Sequence, residues 1–331
     1  MSKTRNRSRD TDTHAADDDD DANDDGMATK LSPALKALIN APAARPGPCP
    51  APSQIRDVYA RIAQDAAARK LGQRPWVVLS AAATFTLNCP DALPALHDVA
   101  SSSSSSASAS ASPVAAAELI REVGLKCISF NGIPRTINCL NAFHAALPAS
   151  VTSRLRTTPT RTPEAATLDD TAARGRALWD SVYAPFEAKL VDKLARAHPD
   201  LPVHILHSHY AALLADPPSP SPSPPPSSPD EAAALPPNRL GRVMTSVVAV
   251  ACLRAQTGVG PQVLSHVFGL RKALRDGTYE QDGMAGDELA AARWLAGDEG
   301  GEWLLRSVDD ISAALGGSNF AAAAQPRESK L

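Results

Sequence analysis

Residues 242–278 read RVMTSVVAVACLRAQTGVGPQVLSHVFGLRKALRDGT, and their reading decides the fold. The run from Val243 to Leu253 is an apolar helix in this reading. Its longest apolar stretch, VVAVACL, falls well short of the ~20 residues that cross a bilayer, so a soluble protein with no membrane partner is expected. Gly258, Gly260 and Pro261 then break the pattern. Proline suits the first turn of the next helix, where its missing N–H would have had no partner. A second stretch, LIREVGLKCISFNGIPRTINCLNAFHAALP at 119–148, repeats this order of helix, break and helix. Setting Pro134 on Pro261, a shift of 127 residues, aligns Ala146 with Ala273 and Leu147 with Leu274, and puts Cys139 in the place of His266.

Outward from these stretches the pattern stays helical. Helices are expected at 115–130, 134–148, 164–197 and 202–214. The C-terminal periodic segment 287–315 reads as packing helices carrying Trp294 and Trp303. Upstream, Ile55, Val58, Tyr59, Ile62, Ala63 and Ala66 recur at helical spacing, and Trp76 to Leu87 reads as a compact apolar helix. Residues 101–112 hold nine Ser and three Ala, and residues 216–237 hold ten Pro. Neither tract has apolar area to bury, so both are expected as insertions. The layout read from sequence is an acidic disordered tail over 1–27, one helical domain over 28–320 with low-complexity insertions at 100–113 and 216–237, and a flexible tail over 321–331. Met27 is an alternative start to Met1.

Of 331 residues, 44% are hydrophobic and only 4% aromatic. The formal net charge of −3 conceals an uneven distribution: residues 1–26 hold nine Asp against Lys3, Arg5, Arg7 and Arg9, leaving 27 acids and 29 bases elsewhere. A nearly neutral body lacks the basic face that displaces counterions from phosphates, so nucleic acid is excluded as a partner. Five widely spaced cysteines without a secretory apolar segment argue for reduced thiols rather than a disulfide scaffold. The chain ends Ser329-Lys330-Leu331, the tripeptide that a peroxisomal import receptor reads at a free C-terminus. The expected location is the peroxisome matrix, with that receptor as a partner.

The stretch 242–278, an apolar helix followed by a helix bearing His, a small residue and a closing Gly, resembles the carboxymuconolactone decarboxylase and AhpD-like superfamily. The stretch 119–148 looks like its half-degenerate counterpart, similar to fungal AhpD-like proteins, and the resemblance spans roughly 115–277. It implies an all-α AhpD-like domain whose helical hairpins surround a small buried site, usually in homo-oligomers. The family's His falls on His266. Its Cys-x-x-Cys falls on Val259 and Gln262, and its upstream Glu on Val247, so the dithiol of the redox branch is missing. The decarboxylase branch implies His with cationic groups for a carboxylated substrate, and Arg239, Arg242 and Arg254 are the nearby arginines.

Each candidate residue carries two readings. His266 is either a general acid/base facing a cavity or a satisfied core histidine; the residues alone favour the second, and the resemblance brings the first level with it. Cys139 is either a nucleophilic thiol or a small core hydrophobe. The 127-residue shift allows both to point at one interior, where the imidazole would activate the thiol. Arg135, at a helix start, is either a substrate-carboxylate site or a surface cation, and Arg242 is a second substrate-binding candidate. His204, His207 and His209 lack a further ligand at metal-binding spacing, with His209 expected to point away from the face shared by the other two, so no metal is expected. Glu118 and Glu122, one turn apart, read as a solvated face. No cofactor is expected. The function read from sequence is therefore a peroxisomal enzyme acting on a small acid or hydroperoxide with His266 as acid/base, either lyase or peroxide-linked oxidoreductase. The alternative is a non-catalytic oligomeric or partner-binding member that has lost the dithiol.

Overall fold

The computed structural model describes residues 31–39, 41, 52–102, 112–218 and 239–317. The acidic tail 1–27 with Met1 and Met27, most of the two insertions, and Ser329, Lys330 and Leu331 lie outside the described residues. Every regular element among the described residues is helical. In the unit 1–47 the described element is α1, Pro33–Ile39, with Ser32 capping its start through Oγ at 3.2 Å from the Leu35 N–H.

The unit 48–331 holds the rest. In chain order its helices are α2 (Pro52–Ala68), α3 (Gln73–Thr86), α4 (Leu93–Ser102), α5 (Pro113–Lys126), the single turn α6 (Ile128–Asn131), α7 (Ile133–Ala146) and the single turn α8 (Ala149–Thr152). They continue as α9 (Leu168–Tyr183), α10 (Glu187–Ala197) and α11 (Asp200–His204), which runs into a π-wound stretch, Ile205–Leu214. The last four are α12 (Gly241–Gln256), α13 (Gly260–Arg275), α14 (Gly286–Leu295) and α15 (Asp298–Ala314).

The apolar helix expected over 243–253 is the centre of the unit. All of α12 except Arg254 is buried, and it packs along α3, itself buried from Pro75 to Thr86. Both helices bring hydroxyls into the core, and on α3 Thr84 and Thr86 turn theirs back to the carbonyls of Ser80 and Ala82 at 2.7 Å each. Around this pair lie α2, α5, α13 and α15. The expected repeat of helix, break and helix is present at both places, with α5, α6 and α7 on one side and α12 and α13 on the other, and both prolines sit in first turns.

Local chemistry shifts several boundaries. The helix expected over 164–197 is two, because Pro185 supplies no N–H and the chain turns at 184–186 before α10 starts. The segment 287–315 divides at Gly297. A Cβ on Gly300, in the first turn of α15, would lie 2.1 Å from the Trp294 carbonyl, so the two helices meet where only glycine fits. Helix α4 runs through Ser102, and α5 starts at Pro113 with Ser112 as its cap, so both enter the interval 100–113. Glu118 and Glu122 are not a solvated face. The irregular chain between α8 and α9 folds over α5, where Arg161 grips the buried Glu122 and the Arg156 N–H donates to Glu118 at 2.6 Å.

A smaller cluster, Trp179, Tyr210 and Leu214, joins α9 to the π-wound stretch. Gly175 makes this approach possible, since a Cβ there would lie 2.4 Å from the Ala211 Cα. Helix α9 also packs on α13, which brings this aromatic cluster against the helix that carries His266.

Candidate functional site

The site is built from the start of α12. A helix that begins inside the protein presents N–H groups with no partner in their own helix. Here two carboxylates take them. Asp216 accepts from the N–H of Leu240 at 3.3 Å and Gly241 at 2.7 Å, and Asp282 accepts from Arg242 at 2.6 Å and Val243 at 3.4 Å. Gly241 has φ +76°, and a Cβ on it would lie 2.6 Å from the Asp282 Cγ, so the junction requires glycine. Asp216, assigned by composition to the Pro-rich insertion, is thus a structural residue. It also pairs at 2.6 Å with Lys126, whose wholly buried ammonium is completed by the Leu214 carbonyl and by Thr245 Oγ1 at 3.1 Å. Lys126 holds the Asp216 carboxyl below its ordinary range, although burial works the other way. Asp282 has no such cation against it, and burial pushes its carboxyl up to about 6.

This clamp aims Arg242 into the interior, where its residue is only 2% exposed. Nε donates to Ser181 Oγ at 2.6 Å and Nη1 to Ser246 Oγ at 2.5 Å; Nη2 donates to the carbonyls of Ser181 at 3.1 Å and Gly269 at 2.8 Å. Four of the five guanidinium N–H groups are used, all on neutral oxygens. Among the described residues, no carboxylate lies within ion-pair distance of this cation: Asp282, its nearest capping acid, is turned to the backbone N–H groups instead. Burial lowers the guanidinium to about 10, which leaves it charged at neutral pH.

His266 stands beside it. Burial, with the Arg242 charge second, depresses the imidazole to about 4, so it is neutral at physiological pH. Its Nε2 is 3.4 Å from the Tyr183 hydroxyl, which in turn accepts from the Tyr210 hydroxyl at 3.2 Å. Burial raises the phenol of Tyr183, and raises that of Tyr210 further, so both are protonated. Phe130 meets the imidazole edge-on, with ring centroids 6.1 Å apart. A cavity of about 10 Å³, roughly one water, lies between Arg242, Thr245, Ser246, His266, Tyr210 and Phe130. At neutral pH this pocket holds one desolvated positive charge, a neutral base and the Tyr210 phenol. That set is suited to receiving an anionic oxygen and passing a proton.

The structure brings together two of the residues singled out from sequence, His266 and Arg242. Cys139 is wholly buried on α7, which packs on α3, α4 and α5, and it is not among the residues lining the cavity. Arg135, at the start of the same helix, donates to the Thr86 carbonyl at the end of α3. Arg254 is held by both oxygens of Asp309 at 2.7 Å, on an open groove away from His266. The His204–His209 pair departs from expectation. With π winding, residues five apart come into register, and the two rings meet at 5.1 Å. Among the described residues no group of three or more His, Cys, Asp or Glu is placed to hold a metal, and no helix is long and apolar enough to cross a membrane. Sequence reasoning missed Ser181, Tyr183, Tyr210 and Asp282. The available signal was scarcity: of only four tyrosines and four tryptophans, two Tyr and one Trp gather around this histidine.

Compared with known proteins, the chain matches no family model, no curated protein and no solved structure.

Proposed function

We propose that the protein is an enzyme of the AhpD-like and carboxymuconolactone decarboxylase-like type that acts on a small carboxylic acid, with Arg242 as the carboxylate anchor and His266 as acid/base. The observation that carries this reading is the buried Arg242 guanidinium, charged yet bonded only to neutral oxygens. A carboxylate entering beside it supplies the missing countercharge. The same anion offsets the Arg242 field at His266 and raises the imidazole toward its ordinary value, so that binding draws a proton onto the ring. The Tyr183–Tyr210 pair forms a hydroxyl path leading to Nε2. Pairing His266 with an arginine rather than with Cys139 favours the small acid over the hydroperoxide.

Titration calorimetry with a panel of small mono- and dicarboxylates, repeated in buffers of different ionisation enthalpy, tests this. The expected result is binding with net proton uptake near pH 6, lost in Arg242→Gln; in His266→Gln binding persists without the uptake. Absence of binding across the panel, or binding without buffer dependence, overturns it. A second reading, a non-catalytic oligomeric or partner-binding member of the same fold, is favoured by the size of the cavity, which takes little more than a water unless its walls part. The peroxisomal address of Ser329-Lys330-Leu331 and assembly as a homo-oligomer belong to the same proposal.

A further inference from the structure

Two cysteines 125 residues apart in sequence meet in the core. Cys127 closes the end of α5, Cys252 lies in the last third of α12, and their Sγ atoms are 3.5 Å apart. Neither residue has any exposed surface. Cys252 Sγ is also 3.8 Å from the Ala82 carbonyl and 4.0 Å from Asn131 Nδ2, so the pair sits in a polar notch where α3, α5 and α12 converge. We propose that Cys127 and Cys252 are an oxidisable pair that a small hydroperoxide converts into an internal disulfide, tying α12 to the bend between α5 and α6. A disulfide needs its sulfurs at about 2.05 Å, so closure brings them some 1.5 Å nearer. The proposal does not depend on the reading of the Arg242 site.

The chemistry balances with the hydroperoxide as oxidant. One thiol loses its proton and its sulfur attacks the terminal peroxide oxygen, breaking the O–O bond and leaving a sulfenic acid and an alcohol. The second sulfur attacks the sulfenic sulfur, a sulfur–sulfur bond forms, and water leaves. Two thiols are oxidised and one hydroperoxide is reduced to alcohol and water. Burial, with the neighbouring Cys252 and Cys139 thiols adding to it, pushes the Cys127 thiol up, which makes the first step slow. The same burial keeps a thiol reductant away from the finished bond. The pair is therefore a latch set once rather than a turnover centre. Its position gives the latch an effect: Phe130 follows Cys127 by one turn, Ala249 precedes Cys252 by one turn, and both line the cavity beside His266.

The test is peptide mapping of the full native chain held with hydrogen peroxide, alkylated under denaturing conditions and digested without reduction. The expected product is one crosslinked species joining the Cys127 and Cys252 peptides, lighter by two hydrogens than the sum of the free peptides. The thiol count should fall from five to three. The oxidised chain should melt higher than the reduced one, since the bond closes a long loop. Cys139→Ala should leave the crosslink intact, and Cys127→Ala or Cys252→Ala should abolish it. Recovery of both peptides as alkylated thiols, their conversion to sulfinic acids without a crosslink, or a crosslink that runs instead through Cys139 overturns the proposal. The wild-type map decides between these outcomes even if a variant fails to fold.

Discussion

Replacing His266 with Gln should change how stability depends on pH far more than it changes stability at neutrality. The folded imidazole is depressed from 6.5 to about 4 by burial, with the Arg242 charge second. The groups facing it are Arg242 from α12, Tyr183 from α9 and Phe130 from α6, and none of them is an acid. A base with a depressed folded value contributes stability above its unfolded value and loses it as pH falls, because the unfolded chain takes up a proton that the folded chain refuses. The window is therefore pH 6.5 down to about 4, and at 1.36 kcal/mol per unit the loss reaches ~3 kcal/mol. Asp282 opposes this. Its carboxyl is raised from 3.8 to about 6, so folded Asp282 gains stability as pH falls through about 6 toward 3.8. In the wild type the two changes nearly offset each other, and stability between pH 6 and 4 should be flat as far as this site determines it. In His266→Gln the Asp282 contribution stands alone. Urea unfolding followed by helical circular dichroism at pH 7 and pH 4.5 should show the variant gaining ~2–3 kcal/mol on the wild type over that interval. Parallel curves, diverging by less than ~0.5 kcal/mol, would refute the claim that this imidazole is held neutral by the fold.

The α12 clamp supports two further predictions. Lys126→Met leaves the Asp216 carboxylate buried without its cation and should lose ~3–5 kcal/mol, read from the urea midpoint at pH 7. Gly241→Ala places a Cβ at positive φ for ~1–2 kcal/mol and against Asp282 for more, so its melting temperature should fall by several degrees. Glu122→Gln weakens the grip of Arg161 on α5 and should lose ~1–3 kcal/mol, with little effect on carboxylate binding because neither residue lines the cavity. A fluorescent protein carrying residues 318–331 at its C-terminus should collect in peroxisomes and become diffuse without the last three residues; diffuse fluorescence from both removes the localisation proposal.

How much was legible follows from what each signal encodes. Helical period reports which face of a segment is apolar, and it placed helices at α2 and α12, whose apolar positions are buried in the structure. It did not see the division of 164–197 at Pro185, after which α10 buries no residue. Composition misassigned Asp216, the first residue of a proline-rich tract, because a single carboxylate serving a helix 25 residues later leaves no local trace. The internal repeat set His266 against Cys139, but a shift in sequence carries no information on which partners lie across the cavity. The tyrosines among those partners come from α9 and the π-wound stretch, which belong to neither copy of the repeat.

The charge arrangement leaves Arg242 uncompensated by either of the acids near the start of α12. Two carboxylates lie within reach of the α12 start, enough to neutralise Arg242 in an ordinary core. Asp216 is taken by Lys126 and by two backbone N–H groups, and Asp282 is turned to the N–H groups of Arg242 and Val243. Both acids are thus committed to the helix terminus, where the backbone dipoles favour them. The guanidinium one residue inside that terminus is left with neutral oxygens, at the desolvation penalty such a charge carries. On the proposed reading, a carboxylate guest supplies the countercharge that neither acid gives to the cavity shared by Arg242, His266 and Tyr210.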